Sequence, residues 1–235
     1  MAADVVAFVD DSASPPVRGT LHPAADPSTG DALVLAHGAG SDHDAFLLVS
    51  LAEAFARRGL SVLRCDLPFR QERRHGPPAR HAAERDRAGL LRAVESVRSR
   101  VPGRIMLGGH SYGGRQASML AAERPGLTAA LLLLAYPLHP PRRPATPRTS
   151  HFAELRTPIL FVHGTRDPFG TIEAVRAAMS AIPARRSLLV VEGGGHELVR
   201  PCRRAAAEDL GNKVTTALLD LIADEGASSI RREGW

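Results

Sequence analysis

Cysteine is nearly absent: of 235 residues only Cys65 and Cys202 carry a thiol. Two cysteines without metal-like spacing exclude a disulfide framework and a thiolate metal cluster, so a reducing compartment, the cytoplasm, and a protein without metal or cofactor are expected. Long apolar runs are also missing. The stretch from Leu127 to Leu134, interrupted by Thr128, falls well short of the roughly 18 residues that a membrane span needs. The first residues include Asp4, Asp10 and Asp11 and lack a basic region followed by an apolar one, so they do not read as a secretory signal. Lysine occurs once, at Lys213, among 30 basic residues. The net charge of +5 invites a polyanion partner, but the arginine clusters at 70–74, 142–148 and 200–204 have no interleaved aromatics and belong to no nucleic-acid-binding pattern. Neither a nucleic acid nor a membrane is therefore expected as partner. Oligomeric state leaves no mark on the sequence.

What is present is ordinary globular material, 44% hydrophobic and 23% charged, in a length suited to one domain. Short runs rich in Val, Leu and Ile alternate with longer segments of helical period, the pattern of an α/β fold with a mostly parallel sheet covered on both faces. Eight strands are expected at 5–9, 17–22, 32–36, 61–67, 104–108, 129–135, 159–163 and 187–192. Helices are expected at 43–58, 81–100, 112–123, 171–181 and 203–223, with Gly59 stopping the first and Thr171 capping the fourth. The first two strands are joined by a short Pro/Ser stretch and read as an antiparallel hairpin at a sheet edge. Between Tyr136 and Thr157, prolines at 137, 140, 141, 144 and 147 leave room for no more than a short helix near 151–155 and exclude a large cap. The domain is expected to span 1–225, with 226–235 a flexible tail.

The sharpest motif is Gly109-His110-Ser111-Tyr112-Gly113, followed by Gly114, between a predicted strand and a predicted helix. A G-x-S-x-G turn in that context lifts a serine hydroxyl clear of the sheet, and the glycines are needed where side chains would strike the adjoining strand and helix. A serine attacks only if a histidine takes its proton and a carboxylate orients that histidine. His163 lies inside a strand and precedes the best acid. His196, in Glu192-Gly-Gly-Gly-His-Glu197 after the last strand, is the expected base. Asp167, in the loop that follows the strand at 159–163, is the expected acid, since catalytic groups of open parallel sheets gather at the C-terminal strand edge. The oxyanion donors are expected to be the backbone N–H of Tyr112 and, from His37-Gly38-Ala39-Gly40, that of Ala39, with Gly40 beside it. His37 reads as a support for its own loop and His110 as packing beneath the turn; Asp66 reads as a loop anchor, with substrate contact as the alternative, and Arg115 as a salt-bridge partner, with binding of an acid-bearing substrate as the alternative. Cys65 reads as a small core residue.

Taken together these residues resemble the α/β-hydrolase superfamily over about 32–223. Within it they are most similar to the dienelactone-hydrolase-like group of testis-expressed protein thirty and NSL-complex subunit three. The matching segments are Leu35 to Gly40, Asp66 to Arg70, Gly109 to Arg115, Tyr136 to Pro141 and Arg166 to Gly170. The group often has lysine and methionine beside the serine, where this chain has His110 and Tyr112. True dienelactone hydrolases use cysteine at the nucleophile, so their substrate does not carry over to Ser111. The resemblance implies a cofactor-free hydrolase of small esters, lactones or related acyl compounds through Ser111, Asp167 and His196. The alternative is a non-catalytic binding or scaffold subunit. With no lid, the pocket is expected to be shallow and walled by Tyr112, Phe69, Tyr136 and Phe169, with Gly40 and Arg70 near the substrate.

Overall fold

The computed structural model describes residues 4–229 apart from 141, 142 and 144, with side chains up to residue 223. Strands β1 (Val6–Asp10) and β2 (Val17–His22) pair antiparallel, with Val6 opposite Leu21. β3 (Ala32–Ala36), β4 (Ser61–Cys65), β5 (Ile105–His110), β6 (Ala130–Leu134), β7 (Ile159–Gly164) and β8 (Arg186–Val191) complete an eight-stranded sheet ordered β1-β2-β4-β3-β5-β6-β7-β8. β2 runs antiparallel to β4, and every later pairing is parallel. The expected edge hairpin and parallel body are both present.

Central strands covered on both faces must be apolar throughout, and every residue of β3, β5, β6 and β7 is buried. Their side chains alternate between two cores. One face packs Leu33, Leu35 and Leu132 against α1 (Phe46–Arg57) through Leu48, Leu51 and Phe55. Behind β4 comes a single turn, α2 (Pro68–Glu72), then α3 (Ala82–Arg98), α4 (Tyr112–Glu123) and α5 (Ile172–Met179). These last three cover the other face, where Leu90, Val94, Leu120 and Val175 meet Val34, Leu107, Leu133 and Phe161. α6 (Arg204–Ser229) returns to the α1 side with Val214 and Leu218.

Local signals hold where expected. Gly59 takes φ +83, and a Cβ there would lie 2.5 Å from the Pro27 carbonyl, so the left-handed stop after α1 admits no side chain. Thr171 Oγ1 accepts the Ala174 N–H at 3.2 Å and caps α5. Two expectations change. α2 was not foreseen, because one turn that begins on proline carries no helical period. α6 runs past Gly226 to Ser229, so the expected tail starts as helix, and residues 230–235 lie outside the described residues. Between Tyr136 and Thr157 the described residues hold one 3₁₀ turn, Phe152–Glu154. Among the described residues no helix is long and apolar enough to cross a membrane.

Candidate active site

Ser111 sits between β5 and α4 with φ 50 and ψ −112, a strained conformation for a residue with a side chain. It is held there by its own N–H, which donates to the Leu134 carbonyl at 2.8 Å. The three glycines of the turn have no room for a Cβ. At Gly109 it would lie 2.6 Å from the Ala36 carbonyl, at Gly113 2.5 Å from that of His37, and at Gly114 2.5 Å from that of Gly109. The turn is therefore wedged between β3 and its own helix, and the hydroxyl points to the C-terminal edge of the sheet.

His196 Nε2 lies 2.8 Å from Ser111 Oγ, and His196 Nδ1 lies 2.9 Å from Asp167 Oδ2 and 3.1 Å from Oδ1. A carboxylate has no proton to give, so Nδ1–H donates to Asp167 and Nε2 is left to accept from the serine. The Asp167 side chain is fully buried, and its Oδ1 also accepts the Phe169 N–H at 2.8 Å, which satisfies the charge from a second side. His163 stands 3.8 Å from Asp167, but its Nε2 is committed to the Gly170 carbonyl at 2.9 Å.

The acid and base loops are stitched together by the backbone. Arg166 N–H donates to the Gly194 carbonyl at 2.8 Å and Gly193 N–H to Thr165 Oγ1 at 2.9 Å. At Gly164 a Cβ would lie 2.3 Å from that same Gly194 carbonyl. From the other side, His110 Nε2 donates to the His196 carbonyl at 2.8 Å. Burial pushes the His110 pKa down, outweighing the carbonyl that favours its charged form, so the ring is neutral and Nε2 carries its proton.

Two backbone N–H groups are the expected oxyanion donors. Tyr112 opens α4, so its N–H has no intrahelical acceptor. Ala39 belongs to a loop fixed from every direction. His37 Nδ1 donates to the Gly38 carbonyl at 2.7 Å while Nε2 accepts the Leu67 N–H at 3.1 Å. Asp66 accepts the His43 N–H at 2.9 Å. Arg70 sends Nη2 to the Ala39 carbonyl at 3.0 Å and Nε to that of Ser41 at 2.8 Å.

With this geometry in place, residues 29–222 match the family described as Alpha/beta hydrolase domain. The chain belongs to the alpha/beta hydrolase family. A 119-residue stretch is 31% identical to the Escherichia coli (strain K12) protein named Putative carboxymethylenebutenolidase, covering 46% of this chain and 42% of that one. The chain thus spans under half the length of that curated relative. Among solved structures, dienelactone hydrolase from Anabaena variabilis superposes with a TM-score of 0.73 at 21% identity, covering 92% of this chain and 99% of the other. An alpha/beta serine hydrolase without lid from Xanthomonas campestris gives 0.72 at 16% identity over 94% and 96%. At such identities these likenesses show the hydrolase fold.

The remaining expected site residues of this family member fall in different places. The Phe169 ring lies 4.2 Å from that of His196, centroid to centroid, directly against the base. Tyr112 meets Phe69 edge-on at 5.7 Å and donates its hydroxyl to Asp86 at 2.6 Å. Burial raises the pKa of both Tyr112 and Asp86. Phe69 and Tyr136 are 4% and 1% exposed, so they form floor rather than open wall. Arg70 is buried with its fork spent on loop carbonyls, including Arg73 and Gly76, which makes it a clasp on the Ala39 loop. Around Gly40 a Cβ would meet nothing within 4 Å. Arg115 differs from expectation: its Nε is buried without a hydrogen-bond partner among the described residues. Arg70, expected near the substrate, is the support that sequence reading misjudged, because its acceptors include a loop distant in the chain; His110 is buried, in keeping with packing beneath the turn, and only its bond to the His196 carbonyl was not foreseen. A cavity of about 910 Å³ lies between β8 and α6 and touches the triad at His196 alone.

Proposed function

We propose that this protein is a serine hydrolase acting on a small ester, lactone or related acyl substrate. The observation that carries the reading is the continuous chain Ser111 Oγ, His196, Asp167, with contacts of 2.8 and 2.9 Å. In this reading His196 Nε2 takes the Ser111 proton as Oγ bonds to the substrate carbonyl carbon. Asp167 stabilises the imidazolium that forms, and the N–H groups of Tyr112 and Ala39 receive the oxyanion. Collapse expels the leaving group, which takes the proton from His196. Water, activated by the same imidazole, then releases the acid and regenerates the serine. Tyr136 to Pro141 and Arg166 to Gly170 support a finer placement within the family, beside testis-expressed protein thirty and NSL-complex subunit three.

Labelling with a fluorophosphonate tests the reading. Wild type is expected to form a covalent adduct at Ser111, and Ser111→Ala to lose both adduct and ester turnover while melting like wild type. Asp167→Asn and His196→Gln should each lower kcat by roughly 10³ to 10⁶, because the three groups act as a unit. An adduct of wild-type stoichiometry in Ser111→Ala would refute the assignment.

A further inference from the structure

Asp86 on α3 is a carboxylate with no exposed surface, and each of its oxygens receives a neutral donor. Oδ2 accepts the Tyr112 hydroxyl at 2.6 Å and Oδ1 the Phe69 N–H at 3.0 Å. Burial raises its pKa against both bonds and against the charges of Arg85 and Arg87. Those arginines pair with other acids, Arg85 with Glu72 and Arg87 with Glu123. Burying charge in this way burdens a fold, and an apolar side chain of similar volume often serves stability as well or better. The two bonds lead, however, to the two segments that hold the oxyanion donors.

The first bond fixes Tyr112, whose own N–H is one expected donor. The second fixes α2, and α2 holds the loop of the other donor. Leu67 N–H donates to His37 Nε2 at 3.1 Å, and Arg70 reaches the Ala39 and Ser41 carbonyls at 3.0 and 2.8 Å. A Cβ at Gly89, three residues after Asp86 and so on the same face of α3, would lie 2.5 Å from Pro68 Cγ. α2 therefore sits directly on α3. The Phe69 ring fills the angle between the two arms: it lies 5.7 Å from the Tyr112 ring, 5.5 Å from that of His37 and 5.0 Å from the Arg70 guanidinium. Within the sheet β3 and β5 run side by side, with Ala36 opposite Gly109; past their ends, Asp86 is bonded to both arms.

The bonding requires a carboxylate. Both incoming groups are donors, and an ionised acid offers two acceptors with no proton of its own. An amide of the same shape would accept the Phe69 N–H and turn its NH2 toward the Tyr112 hydroxyl, which then loses its acceptor.

We propose that Asp86 is a positioning residue for the oxyanion hole: through Tyr112 on one side and α2 with Arg70 on the other, it sets the spacing between the N–H groups of Tyr112 and Ala39. This deepens the hydrolase reading and rests on it, giving a side chain outside the triad a share in stabilising the transition state.

The test measures turnover of ethyl butyrate and binding of 1,1,1-trifluorohexan-2-one, whose carbonyl carbon bonds to Ser111 Oγ and whose oxygen becomes an oxyanion while His196 holds the serine proton. Asp86→Asn and Tyr112→Phe should each lower kcat about tenfold and weaken the ketone by a similar factor, with KM within about twofold of wild type, because the hole favours the oxyanion over the ground-state carbonyl. The double variant should also lose about tenfold rather than a hundredfold, since both changes break one bond. Asp86→Leu, which releases both arms, should lose more than Asp86→Asn. Thermal melts of each variant report folding separately. A lower melting midpoint with kcat and ketone affinity unchanged would make Asp86 structural only and overturn the proposal. A hundredfold loss in the double variant, a loss confined to KM, or an Asp86→Leu loss no larger than that of Asp86→Asn would overturn it too. Should an Asp86 variant fail to fold, Tyr112→Phe and its ketone affinity decide. If wild type labels at Ser111 and the variants match it in kcat, the positioning role is refuted and the hydrolase reading stands; if wild type neither labels nor turns over ester, both are refuted.

Discussion

His110 precedes the candidate nucleophile in sequence and supports the base in space, its Nε2–H donating to the carbonyl of His196 across 86 residues. A histidine between Gly109 and the serine reads from sequence as packing, since nothing local announces a partner so far along the chain. Arg70 misleads in the same way: it looks like a charge at the rim, yet its guanidinium fork suits a cluster of loop carbonyls, and the structure makes four hydrogen bonds there. Ser111, Asp167 and His196 were legible because the strained turn and the strand-end loops constrain both residue type and chain order. His110→Leu should free the His196 loop while leaving every member of the triad present. A misplacement of about 1 Å can cost around 10²-fold, so kcat should fall by tens to a hundredfold with little change in KM. Steady-state kinetics checks this, and unchanged kcat would show that the loop holds its position without His110.

Elements followed the sequence where several signals agreed. The start of α4 coincides with the glycine turn, and α5 begins at its cap. Boundaries moved where one signal stood alone: α1 starts at Phe46, because residues 41–45 belong to the loop that Asp66 and Arg64 hold. The Thr171 cap can be tested without touching the site. Its side chain satisfies one of the orphan N–H groups of α5, and Thr171→Ala should cost about 1 kcal/mol of stability. Urea unfolding measures that loss as a lower midpoint at unchanged slope. Fluorophosphonate labelling at Ser111 should continue unaltered, since α5 packs through Val175 and Met179 beneath the sheet edge.

At the scale of the whole molecule the buried histidines govern acid stability. Burial lowers His22 and His151 to about 4 from an ordinary 6.5, with Arg64 adding to the shift at His22 and Arg115 at His151, and burial also lowers His37 and His110. His43 is raised, by the carboxylate of Asp66. For the four lowered groups the unfolded chain takes up protons first as pH falls, so stability is full above about 6.5 and drains away toward 4. His43 opposes this as one group against four. Thermal melts from pH 7.5 to 4.5 should show a falling midpoint, and His22→Gln, which keeps an acceptor for Arg64, should flatten the slope. The same wholeness decides substrate size. A long acyl chain gains about 0.8 kcal/mol per buried methylene only if a tunnel or lid encloses it. In this fold the enclosing helices would have to come from the segment after β6, and its described residues supply a single 3₁₀ turn between prolines. Phe69 and Tyr136, the aromatics that could line such a tunnel, are already consumed as floor. Specificity should therefore stop climbing early: across ethyl esters from acetate to dodecanoate, kcat/KM should peak below eight carbons, with no activation at a lipid interface. A maximum at eight carbons or beyond would mean that the proline-rich segment closes over substrate as a lid.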